Sequence, residues 1–142
     1  MIIYGKNTVL EALKNKKKIT KLYVTSNNIE LIKKYTSNKS IDIEIVQFNQ
    51  MNKMFDGNHQ GIACEIEEYS YKNLEDVILK NAEKENTALA ILDGLEDPHN
   101  LGAILRTADA TGIDGIIIPK NRSVSLNSTV AKVSTGAIEH VD

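Results

Sequence analysis

The most constraining feature of this 142-residue chain is a strand–helix–strand pattern between residues 88 and 119. The apolar run 88–92 is typical of a buried strand, residues 100–111 have helical periodicity, and 115–119 form a second apolar run. Two strands joined by one helix pair in parallel. Gly112 follows the helix, where a helix C-terminus favours glycine. The pattern therefore predicts a βαβ unit in an α/β fold.

The preceding residues predict a small α/β sandwich followed by a connecting helix. In the strand predicted at 21–25, alternation places Leu22 and Val24 inward and Lys21 and Tyr23 outward. Ile41 to Ile45 also alternates, which is typical of a half-buried strand. The other predicted elements are a helix opened by a capping box at 8–11, helices at 29–35 and 50–55, a strand at 61–69 and a helix at 73–85. The domains predicted from this pattern are 1–70, a linker at 71–87, and 88–142.

Polar residues follow the strand at 88–92, and they predict a site. Ligands of open parallel sheets bind at the carboxyl ends of the strands. Asn100, Gly102 and Arg106 lie in the next helix. A side chain at position i leans over i−4, so Arg106 is predicted to lie over Gly102 with its guanidinium pointing toward Asn100. Free N–H groups at a helix start favour anions such as phosphate.

Each of these residues also has a simpler interpretation. Asn100 could serve only as the helix N-cap. Arg106 could be a solvated side chain, or could pair with Asp109 or with Glu96 and Asp97. From the pattern alone, these alternatives stay open.

The segment from Asp97 to Ala108 reads D-P-x-N-x-G-x-x-x-R-x-A, and it resembles the first signature motif of the SpoU/TrmH RNA 2′-O-ribose methyltransferases. Residues 9–13 and 59–62 resemble the substrate-binding domain of that family. Residues 123–141 resemble the branch that methylates a guanosine ribose in 23S ribosomal RNA. The resemblance covers most of the chain.

The resemblance implies a small N-terminal substrate-binding domain and the first part of a parallel-sheet, trefoil-knot (SPOUT-type) methyltransferase domain. It implies methyl transfer from S-adenosylmethionine to a ribose 2′-hydroxyl of ribosomal RNA. Arg106 would take the proton of that hydroxyl or hold the ribose and a phosphate, and Asn100 would orient the substrate or Arg106. It further implies a homodimer formed through the knotted domain.

The chain departs from the family pattern at the second motif, because no Asn-Glu-Gly occurs in it. Ser125-Leu126-Asn127 resembles the third motif but comes too early. We therefore expect the front part of a longer enzyme, with the S-adenosylmethionine pocket mostly beyond Asp142, no cofactor-binding residue in this chain, and no activity of this chain alone. The alternative is a non-catalytic RNA-binding module.

Candidate RNA contacts lie in three places. Lys16 and Lys17 belong to a basic run that could meet phosphate or simply end a helix in solvent. Arg122 and Ser123 follow a strand at its carboxyl end. The resemblance to the substrate-binding domain adds a further pair, His59 and Gln60, although a plain turn is the simpler interpretation.

Composition narrows the class of protein. A net charge of −2 argues against broad electrostatic binding of nucleic acid, so RNA would need local contacts. The single cysteine, Cys64, has no partner for a disulfide or a spaced zinc site, which favours a cytoplasmic protein without metal. No G-x-G-x-x-G follows the strand at 88–92, which disfavours a dinucleotide-binding domain.

Overall fold

The computed structural model describes residues 1–15, 17–37 and 40–142. The chain divides into two compact units, Met1–Glu68 and Tyr69–Asp142. Residues 71–87, predicted as a linker, fall within the second unit.

The first unit is a mixed four-stranded sheet with helices. Its strand order is β1-β4-β2-β3, with β4 antiparallel to both neighbours and β2 parallel to β3. The elements are β1 (Ile2–Tyr4), α1 (Lys6–Lys14), β2 (Ile19–Val24), α2 (Ile29–Thr36), β3 (Asp42–Ile45), α3 (Phe48–Met54) and β4 (Ile62–Ile66).

Both faces of the central strands β2 and β4 are buried. Leu22 and Val24 pair with Cys64 and Ile62 on one face, and all four are fully buried. Alternation places Tyr23 on the opposite face. There it joins a buried cluster with Ala63 and three residues in or beside α3, which are Val46, Met51 and Phe55. The outward orientation predicted for Tyr23 is therefore wrong, because α3 covers this face.

The second unit contains a two-stranded parallel sheet and three helices. Its elements are α4 (Leu74–Lys80), β5 (Leu89–Ile91), α5 (Pro98–Thr111), β6 (Gly115–Ile117) and α6 (Ser128–Val133). Strand β5 pairs in parallel with β6, so the predicted βαβ unit is confirmed. Gly112 ends α5 with a φ of 75°, which confirms the predicted glycine cap.

Two local predictions are wrong. Helix α1 begins at Lys6 after Gly5, so Thr8 is a buried residue inside the helix and not the start of a capping box. Strand β3 is exposed along its whole length, because it lies at the edge of the sheet. Both outcomes depend on tertiary position, which the local pattern does not contain.

Candidate functional site

Helix α5 begins at the carboxyl end of β5 and carries the first candidate residues. Asp97 is its N-cap, and the Asp97 carboxylate accepts a hydrogen bond from the His99 N–H at 2.9 Å. Pro98 occupies the first helical position, where its missing N–H costs nothing. Asn100 therefore lies in the first turn with an exposed side chain. The alternative that Asn100 is the N-cap is wrong.

Gly102 serves the contact between α5 and α6. A Cβ atom at Gly102 would lie 2.6 Å from the Val133 Cβ and 3.1 Å from the Ser134 backbone nitrogen. The predicted reason for this glycine, a clear path for Arg106, is therefore incorrect, because Gly102 is buried against another helix.

Arg106 is exposed on α5, nine residues beyond Asp97. It forms no ion pair with Asp109, Glu96 or Asp97 within the parts of the chain that the structure describes. The pairing alternatives are thus not observed. Its guanidinium offers five N–H donors in a planar fork, which matches a phosphate or two ribose oxygens.

The loop after β6 lies beside the loop that leads into α5. The Val124 N–H donates to the Leu95 carbonyl at 2.8 Å, which joins the two loops at the carboxyl edge of the parallel strands. Arg122 is exposed with a φ of 54°, and the Ser123 hydroxyl donates to the Pro119 carbonyl at 2.5 Å. Ser123 thus stabilises the turn that presents Arg122.

The stretch that resembles the third family motif leads into helix α6. Asn127 caps α6, and its side-chain oxygen accepts a hydrogen bond from the Val130 N–H at 3.0 Å. The Ser125-Leu126-Asn127 stretch is therefore a helix start, and Asn-Glu-Gly is absent from the sequence. Where S-adenosylmethionine binds stays a prediction.

His59 in the first unit is buried, with 1% of its surface exposed. Its Nε2 lies 2.8 Å from the Asn52 side-chain oxygen, and its Nδ1 accepts a hydrogen bond from the Gly61 N–H at 3.0 Å. Direct contact of its ring with RNA, as predicted, does not fit this burial. His59 instead fixes the turn before β4.

Gln60 is exposed at the tip of that turn. The turn is closed by a bond from the Ile62 N–H to the His59 carbonyl, and both central residues have positive φ, 55° at Gln60 and 75° at Gly61. The Gln60 side-chain oxygen accepts a hydrogen bond from the Lys6 N–H at 2.8 Å. Gln60 thus satisfies the first backbone donor of α1, which has no side-chain cap of its own.

An exposed aromatic side chain, which the sequence pattern did not single out, packs on His59. The ring of Phe48 is 4.6 Å from that of His59, at an interplanar angle of 48°, and Phe48 is 52% exposed. Phe48 and His59 are distant in sequence, so neither local pattern predicts their contact.

The positive charge of the basic run at the end of α1 is partly neutralised by carboxylates. Lys14 and Lys18 each lie 2.5 Å from a carboxylate, Glu11 and Glu67 respectively. Hydrogen bonds to these carboxylates, and then their charges, raise the pKa of both lysines. Lys17 is half-buried. Lys16 lies outside the described residues.

The described residues contain no group of three or more His, Cys, Asp or Glu side chains arranged to hold a metal ion. Within the same ranges, no helix combines the length and apolar character needed to cross a membrane.

Two family models match the chain, one in each unit. Residues 2–72 match a model described as RNA 2′-O ribose methyltransferase substrate binding. Residues 87–142 match a model described as the SpoU rRNA Methylase family. The two matches follow each other in the order that the sequence motifs predict.

Curated relatives match over nearly the whole chain. The chain is 46% identical, over 98% of its length, to a protein of Bacillus subtilis (strain 168) whose name assigns it to TrmH family tRNA/rRNA methyltransferases, YacO. It is 45% identical, over 99% of its length, to a similarly named protein of Staphylococcus aureus (strain MSSA476). The chain spans 58% of the length of both relatives.

Solved structures share the fold. An AdoMet-bound rRNA methyltransferase from Sinorhizobium meliloti superposes with a TM-score of 0.78 at 26% identity, covering 99% of this chain and 51% of that one. The SpoU methyltransferase AviRb from Streptomyces viridochromogenes, in complex with AdoMet, gives a TM-score of 0.77 at 14% identity, covering 99% of this chain and 53% of that one. The second likeness concerns the fold alone.

Proposed function

Because the chain belongs to the SpoU/TrmH family of RNA methyltransferases, we propose that this protein transfers a methyl group from S-adenosylmethionine to a ribose 2′-hydroxyl of ribosomal RNA, at a guanosine. The observation that carries the proposal is the pair of family matches, one in each unit and in order. The exposed Asn100 and Arg106 on α5, at the carboxyl edge of the parallel strands, agree with it.

In this proposal the first unit binds RNA, and the second unit binds the ribose that reacts. Gln60, Lys16 and Lys17 remain RNA-contact candidates in the first unit. Arg122 remains one in the second unit, in the loop after β6. Ser123 supports the Arg122 turn, and His59 supports the Gln60 turn. With a net charge of −2, specific polar contacts and not a broad basic surface provide the affinity.

Arg106 is assigned to the 2′-oxygen and a neighbouring phosphate. A ribose hydroxyl is a poor nucleophile because its pKa lies far above neutrality. An arginine is a poor base, since its own pKa exceeds about 12. We therefore assign Arg106 to stabilising the negative charge that develops on the oxygen as the hydroxyl proton passes to solvent water, with Asn100 orienting the ribose.

The remaining parts of the proposal concern the whole protein. A homodimer formed through a knotted methyltransferase domain and a cytoplasmic location both follow the family resemblance. The solitary Cys64, buried in the first unit, agrees with a reducing compartment.

The test is methylation of ribosomal RNA by the full-length protein with S-adenosylmethionine carrying a labelled methyl group. After digestion to nucleosides, we expect the label in 2′-O-methylguanosine. The labelled linkage should also resist alkaline hydrolysis, which requires a free 2′-hydroxyl. Label on a base, or saturable RNA binding without any transfer, would contradict the proposal; the second result would favour a non-catalytic RNA-binding module.

A further inference from the structure

Four segments of the first unit meet at one end of its sheet, namely residues 4–8, 25–29, 46–53 and 57–62, which we term the loop end. Backbone hydrogen bonds connect them: Gly5 N–H to the Ile62 carbonyl at 3.1 Å, Thr25 N–H to the Gly61 carbonyl at 3.0 Å, and Val46 N–H to the Val24 carbonyl at 2.9 Å. The buried Asn28 amide adds bonds to the Gln60 and Gly61 carbonyls. The loop end is thus one continuous surface.

The composition of the loop end is unusual for this chain. Its four segments contain no Asp or Glu, although the chain has 19 of them, and they contain nine Asn or Gln residues together with Lys6 and Lys53. Carboxylates that flank it along the strands are already bonded: Glu44 to Lys21 at 2.7 Å and Glu65 to the Tyr23 hydroxyl at 2.6 Å. Some of these amides are bonded within the unit, such as Asn28 and Asn52, whereas Asn7, Asn27 and Asn49 are exposed. The exposed Asp56 lies between the third and fourth segments. Exposed amides, which both donate and accept hydrogen bonds, suit the edges of nucleic-acid bases.

Phe48 is the exposed aromatic of this surface, and its position is fixed from two sides. At the start of α3, the Gln47 N–H donates to the Gln50 side-chain oxygen at 3.3 Å. Beneath the ring lies His59, which is buried and held by Asn52 and Gly61. A ring that is half exposed yet held by packing loses little freedom when a ligand stacks on it.

We propose that Phe48 is a stacking platform for an unpaired base of the RNA substrate. Gln60, the exposed residue after His59, accepts a hydrogen bond from the Lys6 backbone N–H through its side-chain oxygen, so its amide nitrogen serves as a donor to the base edge. The exposed Lys6 side chain serves the phosphate. Stacking needs an exposed base face, so the substrate presents a single-stranded loop or bulge at this point. The inference rests on the proposed function only in taking RNA as the ligand.

The test measures binding of the full-length protein to two fluorescein-labelled probes, a single-stranded oligouridine and an RNA duplex of equal length. Loss of one stacked base weakens single-strand binding by about tenfold or more. We therefore expect Phe48→Ala and Phe48→Leu to lose about tenfold on the single strand, and Phe48→Tyr to bind like wild type. Duplex affinity should change little in all three variants.

A matched control is Ile43→Ala. Ile43 is an exposed apolar side chain of the same unit, 40% exposed on β3 and outside the loop end, and its variant should bind both probes like wild type. Thermal unfolding of each variant checks that the fold is retained.

The inference is wrong if Phe48→Ala binds the single strand like wild type, or if Phe48→Leu retains full affinity, since leucine keeps apolar area without a π-face. It is equally wrong if Phe48→Ala alters only self-association, because the ring would then be a protein contact. Failure of the methyl-transfer assay with intact stacking would overturn the proposed function and leave this inference standing.

Discussion

Gly61 is tightly enclosed in the first unit. Its φ is +75°, a conformation that L-residues with a side chain rarely adopt. A Cβ atom there would also lie 2.6 Å from the Thr25 hydroxyl oxygen and 2.7 Å from the Asn28 amide nitrogen. Because Asn28 ties the loop-end turns together, displacement of its amide would disturb the surface that carries Gln60 and Phe48.

Gly61→Ala should therefore lower the free energy of unfolding by about 3 kcal/mol, combining backbone strain with overpacking. Gly112→Ala is the control, because Gly112 has the same φ of +75° and nothing within 4 Å of the added Cβ. It should cost only about 1 kcal/mol, the strain alone. Urea denaturation, followed by amide signals of each unit, measures both; equal losses would contradict the steric argument.

We expect Asp114 to make the second unit sensitive to acid. Hydrogen bonds from Lys84 and from the Ala88 N–H, the latter at 2.8 Å, lower the pKa of its carboxyl below the ordinary 3.8. The folded state thus favours the ionised carboxylate, so its stabilising contribution is present above about pH 4 and is lost as the pH falls through the lowered pKa.

Asp114→Asn should consequently reduce stability near neutral pH and flatten the loss of stability below about pH 4. Asp109→Asn, at an exposed position on α5, is the control and should behave like wild type. Thermal unfolding across a pH series is the measurement. A variant of Asp114 that keeps the steep acid dependence of wild type would show that another group is responsible.

Among the elements, helices α5 and α6 approach each other closely at Gly102, which lies on α5. Alanine at position 102 would gain about 1 kcal/mol of helix propensity. Its Cβ atom would nevertheless lie 2.6 Å from the Val133 Cβ and 3.1 Å from the Ser134 nitrogen, an overlap that costs about 1–3 kcal/mol. The backbone at Ser134 cannot move away from the added Cβ atom as a flexible side chain could.

We expect Gly102→Ala to destabilise the second unit by about 1 kcal/mol net, and Val133→Ala to relieve part of that cost in the double variant. Because residues 102 and 133 are in contact, the two changes should not be additive. Differential scanning calorimetry of the four proteins gives the coupling. If Gly102→Ala proved stabilising, the close approach of α5 to α6 would not be what requires the glycine.

The elements that sequence predicts well are those set by local signals. Parallel pairing of β5 with β6 and the glycine after α5 were both predictable, because helix length, chain connectivity and the C-cap act over a few residues. The N-terminus of α5 was harder to place. Asp97, Pro98 and Asn100 all suit a helix start, and the alternative that made Asn100 the cap was wrong by three positions.

At the scale of the whole molecule, the order of the two units in the sequence follows the motifs. The loop end, by contrast, was not predictable. It combines four segments that are far apart in sequence, and only the sheet order brings them together. Likewise, His59 was predicted to contact RNA, but it is buried and contacts Phe48 and Asn52 on α3. Arg106 was predicted from its motif, and its exposure on α5 fits that role; the role itself stays a prediction.

The central claim is that Arg106 stabilises charge on the reacting ribose, and single-turnover methyl transfer by the full-length protein tests it most directly. Losing one preorganised charge-stabilising donor lowers the rate by about a hundredfold or more, so Arg106→Ala should do so. Arg106→Lys should not restore the rate, since an ammonium cannot replace the planar fork. Lys17→Ala, by contrast, should mainly weaken RNA binding and lessen its salt dependence.

Unfolding temperatures should stay close to wild type, because an exposed helix arginine replaced by alanine keeps helix propensity. The account predicts slow transfer by both Arg106 variants at saturating RNA, with RNA affinity largely retained. Near wild-type rates for Arg106→Ala and Arg106→Lys would contradict it, and Arg106 would then be an ordinary surface arginine.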